Sequence, residues 1–312
     1  MNFDKYIFRS HMVGEIVSVP KPLTAKQFET LQAYRARVKG DGKPLTEKQT
    51  KDWHSLENKL NESKVFKLND TAKKRLNKLV FEEKHNRKSK LDVKYFEKGL
   101  EKEKESRDLL SNVLNVMLPA DDERRSNEWV TGKRDIKNDG IAIDIKTSWN
   151  YESYNNHLLE KPNEVYLRQI DSYMDLWDIK DGLLCHVLVD TPYSMIEDEL
   201  RRLDWKYNIM GNDGYIRDES IEKVVEVVES HIYTEKGLDG FCENSAIIQK
   251  DWFKNFIELD KSERIHMIPH AFEKERIEQR NECITLAREY MKTVKPINNI
   301  ITDINRARQD GE

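Results

Sequence analysis

The chain has 312 residues and a net charge of −4, with 35% charged and 38% hydrophobic residues and a mean hydropathy of −0.81. Ten Phe, twelve Tyr and six Trp argue against wholesale disorder, and no apolar run is long enough to span a membrane. Cys185, Cys242 and Cys283 are too few for a four-cysteine iron–sulfur or zinc site and suit a reducing compartment, and the N-terminal stretch shows no apolar signal-peptide core.

The first ninety residues predict helices. Lys21-Pro22-Leu23-Thr24 recurs as Lys43-Pro44-Leu45-Thr46, with Gln27 and Gln49 three residues after each Thr. That is the spacing of a capping box, so helices are expected over 24–39 and 46–62, with Gly40-Asp41-Gly42 breaking the chain between them. A third is expected from about Asn69 to His85, with Lys73, Lys74, Arg75 and Lys78 outside and Leu76, Leu79 and Val80 inside. The apolar spacing of Tyr95/Phe96, Leu100, Leu109/Leu110 and Val113/Leu114 predicts a helix over 93–115, in which Gly99 suggests close packing. Residues 129–131 read as a short strand, Asn138-Asp139-Gly140 as a hairpin turn, and 141–146 as the clearest strand of the chain. A helix over 164–177 and a buried strand over 182–190 follow, which makes the middle of the chain a mixed α/β core. Beyond it, 222–230 reads as an amphipathic helix or a long strand, 264–268 as a strand and 273–291 as a terminal helix, with the last twenty residues fraying.

The net charge conceals an asymmetry. Residues 59–104 hold 15 Lys/Arg against 8 Asp/Glu, whereas residues 171–240 hold 7 against 17. A basic block in an acidic chain suits a polyanion, or else a solvated helix face.

The chemistry concentrates at Asp144-Ile145-Lys146. Alternation puts both charged side chains on one face at the end of an apolar strand. A metal site with a cationic catalyst explains this, and so does a surface ion pair. Asp135-Ile136-Lys137 and Asp178-Ile179-Lys180 repeat the letters, but only position 144 closes a predicted apolar strand. Asp135 lies across the predicted hairpin from Asp144, Glu103 follows Gly99 by one helical turn, and Gln169 and Tyr173 share a helix face. Three carboxylates converging on a lysine suit Mg²⁺, with Mn²⁺ as a substitute.

In order, these residues resemble the PD-(D/E)XK nuclease superfamily, and more narrowly the lambda-exonuclease (YqaJ-type) and RecB-type nucleases. The G-x-x-x-E helix is matched by Gly99 and Glu103, G-x-x-D by Gly132-Lys133-Arg134-Asp135, (D/E)-x-K by Asp144-Ile145-Lys146 and Q-x-x-x-Y by Gln169 and Tyr173. Arg134 stands where the family motif has proline, and the four cysteines of the iron–sulfur relatives are absent. The resemblance covers roughly 90–192 and extends to 264–292. It implies a restriction-endonuclease-like α/β fold, a mixed β-sheet core flanked by helices with an N-terminal helical region. The corresponding divisions are 1–90 (basic, DNA-binding), 91–195 (nuclease core) and 196–312 (an α/β extension completing the core).

The activity implied is metal-dependent hydrolysis of phosphodiester bonds from duplex DNA ends, 5′→3′, in recombination or end resection. Asp135, Asp144, Glu103 and the carbonyl of Ile145 would bind metal. Lys146 would orient or deprotonate water or neutralise phosphate, and Gln169 and Tyr173 would position water, ligands or strand, or simply pack their helix. Thr71, Lys74 and Arg75 are the expected contacts to a 5′-phosphate, at a helix N-terminus. Trp129 and Trp149 are expected to flank the site, with core packing favoured for Trp129. A single-strand annealing protein, a trimer and a phage or prophage origin in the host cytoplasm follow by analogy. The alternatives are a structure-selective endonuclease on the same core and a non-catalytic DNA-end-binding protein. His266 and His270 flank Pro269 and do not form a helical metal pair, and Gly211-Asn212-Asp213-Gly214 reads as a turn.

Overall fold

The computed structural model describes residues 3–18, 20, 22–63, 65–88 and 94–294. In chain order the elements are β1 (Phe8–Arg9), α1 (Ser10–Ile16), α2 (Ala25–Val38), α3 (Glu47–Glu62), α4 (Asp70–His85), α5 (Lys94–Glu101) and α6 (Glu103–Leu114). Then come β2 (Arg124–Ser126), β3 (Val130–Lys133), β4 (Ile141–Thr147), α7 (Tyr151–Leu159), α8 (Glu164–Trp177) and β5 (Asp181–Val187). The chain closes with α9 (Tyr193–Tyr207), α10 (Ile221–Glu229), α11 (Glu235–Asn244), β6 (Ile265–Ala271) and α12 (Lys274–Thr293). The expected fraying of the last twenty residues falls almost wholly outside the described residues.

Two compact units are present. The first comprises Met1–Lys88, Asn127–Val130 and Glu273–Glu312. Its core is helical: α1, α4 and α12 pack together and bury Val13, Ile16, Leu76, Val80, Ile284 and Ala287. The repeated sequence forms the α2–α3 hairpin, and both capping boxes close. Gln27 N donates to Thr24 Oγ1 at 3.2 Å and Gln49 N to Thr46 Oγ1 at 3.3 Å, with each Gln side chain returning a bond to the Thr backbone. The hairpin buries little apolar surface; Leu31 is the buried residue of α2 and α3 has none. Polar contacts tie it instead, led by Arg35 on Glu57 through two bonds of 2.6 Å.

The second unit comprises Ser89–Ser126 and Thr131–Phe272. Its centre is a mixed sheet in the order β4-β5-β6, with β4 and β5 parallel and β6 antiparallel. Alternation divides the strands between two faces. Ile143, Cys185, Val187 and Ile265 pack on Leu109 and Leu110 of α6. Ala142, Leu184 and Ile268 face the other way, onto Ile170, Tyr173 and Met174 of α8. Gly182 lets α8 lie close, because a methyl group there would come 2.5 Å from Ile170 Cγ2 and 3.0 Å from the His270 carbonyl. A separate apolar cluster joins α9, α10 and α11 through Ile196, Val224, Val228 and Phe241. This is the expected helix-flanked mixed α/β core, and 222–230 resolves as helix.

Three expectations are corrected. The helix over 93–115 is two helices, broken at Lys102 (φ −100°, ψ 9°). Gly99 makes no close approach; a methyl group there would meet no atom within 4 Å. The expected hairpin about Asn138-Asp139-Gly140 is a loop and not a ladder. Arg134 swings inward and Ile136 bridges to Ala120, so this arm is paired elsewhere.

The break reverses the expected inside and outside of α5. Tyr95, Phe96 and Leu100 are exposed and Lys98 is fully buried, donating to the Trp149 carbonyl at 2.8 Å. Burial pushes the Lys98 ammonium down to about 7, although Asp190 opposes the shift. Between that value and the ordinary 10.5 the unfolded chain holds a proton that the folded chain has shed, so stability rises with pH across this window. Thermal melts at pH 7 and pH 9 test this. Lys98→Met is expected to gain a few degrees over wild type at pH 7 and to see that margin narrow clearly by pH 9; an equal difference at both values would contradict the assignment.

Candidate active site

The site is built on β4. Asp144 is fully buried and Lys146 keeps a quarter of its side chain exposed on the same face of the strand. The ammonium lies 2.8 Å from Asp144 Oδ2 and donates to Gln169 Oε1 at 3.2 Å. Gln169 Nε2 in turn donates to the Tyr173 hydroxyl at 2.7 Å. One turn of α8 thus converts the spacing of Gln169 and Tyr173 into a chain of contacts ending at Lys146.

Asp135 arrives from the loop after β3. Its Oδ2 accepts the Ile145 backbone N–H at 3.1 Å, which brings it beside β4 without a hairpin. The loop is anchored by Arg134, 1% exposed. Its Nε donates to Asp121 Oδ2 at 2.9 Å and its Nη1 to the Asn138 carbonyl at 2.7 Å, and its guanidinium stacks 4.5 Å from the Trp177 ring centre. Arg134 therefore holds the neighbouring Asp135 in place.

The electrostatics are those of two acids forced together. Burial, and then the Asp144 charge, push the Asp135 carboxyl up to about 6. Asp144 is also raised by burial, against the pull of Lys146. Burial works against the Lys146 charge, but Asp144 and Asp135 outweigh it and hold the ammonium above its ordinary range. Burial and the Asp144 charge keep the Tyr173 hydroxyl protonated. Both Asp144 oxygens are sealed from solvent and neither accepts a well-directed hydrogen bond. An acceptor-only group left in this state fits an additional cation.

Glu103 stands apart from this pair. It opens α6, exposed, with Oε1 3.6 Å from Arg107 Nη1. Among the described residues no three His, Cys, Asp or Glu side chains are grouped as a metal shell. Trp149 is buried and not free to stack on bases; its ring meets Tyr95 and His231 edge-on at 5.3 Å. In the first unit, Trp129 lies against the Arg288 guanidinium, 5.0 Å from its ring centre. Thr71 and Lys74 are exposed on the first turn of α4, whereas Arg75 is paired with Glu15 at 2.5 Å. Asn69 caps that helix by accepting the Ala72 N–H at 2.7 Å. Two members of the basic block serve the interior: Lys94 pairs with Glu199, and Lys98 is buried.

Two neighbours of Lys146 escaped the sequence reading. The Tyr166 ring centre lies 4.8 Å from its Nζ. Tyr166 precedes Gln169 by three residues, so helical periodicity carried that signal. His186 is the β5 partner of Lys146 and stacks on His157 at 3.9 Å. Burial first, with His157, His266 and Lys146 adding, pushes it down to about 3 and keeps it neutral. Strand register, which no local sequence pattern encodes, brings it there.

No model of a known protein family matches the chain. No curated protein matches it. Among solved structures, a phage-related exonuclease from Haemophilus somnus 129PT aligns over 96% of this chain and 97% of its own, with a TM-score of 0.54 and 19% sequence identity. An alkaline exonuclease from Laribacter hongkongensis aligns over 79% of this chain and 90% of its own, with a TM-score of 0.44 and 8% identity. The chain thus shares its fold, along nearly its whole length, with a phage-related exonuclease.

Proposed function

We propose that this chain is a metal-dependent DNA exonuclease of the PD-(D/E)XK type, hydrolysing phosphodiester bonds from duplex ends in the 5′→3′ sense. The observation that carries it is the meeting of Asp135, Asp144, Lys146, Gln169 and Tyr173 at one sheet edge. The likeness of fold to a phage-related exonuclease supports it, and so does the ordered resemblance of the motifs.

Asp135, Asp144 and the Ile145 carbonyl would hold Mg²⁺ or Mn²⁺; Glu103, which stands apart from them on α6, would join only if its side chain turned away from Arg107. A dication there supplies an acidified water and offsets charge on the phosphate and the leaving oxygen. Lys146 enters as a cation, because the two aspartates retain its proton. It is thereby suited to orient the attacking water or neutralise the phosphate, with Gln169 fixing its ammonium and Tyr173 fixing Gln169. Thr71, Lys74 and Arg75 would contact the 5′-phosphate end. Recombination or end resection in a host cytoplasm, alongside a single-strand annealing protein and as a trimer, is the setting this reading assigns.

Linear duplex DNA labelled separately at each 5′ and 3′ end, with Mg²⁺ and then EDTA, tests the reading. Wild type is expected to digest from the ends only with metal, and Lys146→Ala and Asp144→Asn are expected to lose on the order of 10³-fold in rate. Cutting of closed circles would point to an endonuclease. Salt-sensitive binding without cleavage in either metal would leave a DNA-end-binding protein.

A further inference from the structure

A cleft of about 710 Å³ opens at the end of β5, on the α6 side of the sheet. It lies away from Asp144 and Lys146, which face α8. Arg264, at the entrance to β6, lines it and is only 6% exposed. Its Nε is buried without a hydrogen-bond partner, and among the described residues no carboxylate comes within ion-pair distance of the guanidinium, although the Asp190 and Asp260 charges act on it from farther off. A guanidinium held in this way is costly unless something completes its bonding.

The first turn of α9 forms another part of the wall. This 15-residue helix begins after Pro192 with no side-chain cap. Met195 N and Ile196 N both return to the Pro192 carbonyl, leaving the N–H groups of Tyr193 and Ser194 without an acceptor in the helix. Both residues line the cleft. The first turn of α11 sits beside them; Gly237 approaches so closely that a methyl group there would lie 2.2 Å from Asp190 Oδ2.

The charges of the wall are close to balance, so the buried Arg264 fork and the start of α9 set the sign of the ligand. Most of the acids are engaged. Asp190 accepts from Tyr233 N at 2.7 Å and Thr234 Oγ1 at 2.5 Å, and Glu258 accepts from Glu235 N at 3.0 Å. Glu105 pairs with Lys102 and Asp108 with Lys104, each at 2.7 Å. Among the described residues Lys236, Lys261 and Arg264 face the cleft without an ion pair, and so do Glu101, Asp190 and Glu258, of which Asp190 and Glu258 accept only neutral donors. A buried planar fork, two free N–H groups at a positive helix end and two mobile ammonium groups form a receptor for a tetrahedral oxyanion.

We propose that this cleft is a phosphoryl-binding site separate from the proposed cleavage site. Its ligand is a phosphate ester, carried either by a free mononucleotide or by the backbone of a nucleic-acid strand.

The test uses the full chain in EDTA and titrates inorganic phosphate, thymidine monophosphate, thymidine and a short oligonucleotide by calorimetry and thermal shift. Phosphate and thymidine monophosphate are expected to bind and to raise the melting temperature at about 10 mM, with thymidine inert. Arg264→Gln and the paired change Lys236→Glu with Lys261→Glu are each expected to weaken binding at least about tenfold. Lys146→Met is expected to leave it intact. Tighter binding of the oligonucleotide than of the mononucleotide would identify the strand as the source, and the reverse order the free nucleotide. Arg264→Met supplies a check against misfolding: a ligand-binding arginine leaves the free protein as stable or more stable when replaced. Absence of binding, or binding indifferent to Arg264, Lys236 and Lys261, would overturn the proposal while leaving the nuclease reading untouched.

Discussion

Asp135→Asn is expected to make the protein more stable and inactive. The Asp135 carboxyl is pushed up to about 6 by burial and by Asp144, against an ordinary 3.8. At pH 7.5 it is ionised in both folded and unfolded chains, so the folded state bears the whole cost of that shift. The cost is roughly 1–3 kcal/mol, allowing for solvent at the half-buried edge. Asn keeps the acceptor for the Ile145 N–H and removes the charge, so the melting temperature should rise by several degrees. The sign with pH follows from a folded value above the unfolded one. The cost is complete above about pH 6 and fades as pH falls towards 3.8, where both states are protonated. Melts in EDTA at pH 7.5 and pH 4 should therefore show a margin that closes in acid. Lower stability of the variant at pH 7.5 would refute this account of Asp135. Cleavage should disappear on the same substitution, because a carboxylate proposed to hold metal has been neutralised.

Lys146→Met should act in the opposite direction on stability. Asp144 is fully buried, and Lys146 is the cation beside it. Removing the ammonium leaves a buried charge uncompensated, at a cost of roughly 3 kcal/mol. Adding Asp144→Asn to that variant removes the stranded charge and should restore most of the loss. The double-mutant cycle should therefore show strong coupling, on the order of 2 kcal/mol. Denaturant midpoints of the four proteins measure it, and independent, additive effects would mean the pair is a solvated surface contact. In all three variants cleavage is expected to fall by on the order of 10³-fold, so stability and activity separate.

Much of the site was legible because its geometry is local. Alternation placed Asp144 and Lys146 on one face, and a four-residue step placed Gln169 and Tyr173 on one helix side; the structure joins the four in a single line of direct contacts, Asp144 to Lys146 to Gln169 to Tyr173. The two capping boxes were legible for the same reason, since each lies within four residues. Failures came where position depends on distant partners. Asp135 reaches β4, but the hairpin expected to bring it there is absent, because Arg134 is drawn to Asp121 thirteen residues earlier. In α5 the periodicity of Tyr95, Phe96 and Leu100 defined a face correctly and its direction wrongly. The carbonyl of Trp149, fifty-one residues away, takes Lys98 into the interior instead. His186 depends on the register of β4 with β5, which turns on the whole strand and not on any neighbouring letter.

The α2–α3 hairpin bears on how such a chain drifts through evolution. Substitutions on α3 displace no buried side chain, since it has none, and those on α2 endanger only Leu31. Selection acting through the fold therefore rests there on polar letters: the Thr and Gln of each capping box, the Arg35–Glu57 pair with Trp53 donating to Glu57, Lys59 on Gln27, and Arg37 on the carbonyls of Lys43 and Pro44. The rest of the hairpin is free to exchange its charges and polar groups. Descendants of this sequence should diverge fastest in this segment while keeping the doubled Pro-Leu-Thr-x-x-Gln signature, which makes those two short strings a better tracer of ancestry than the helices they cap.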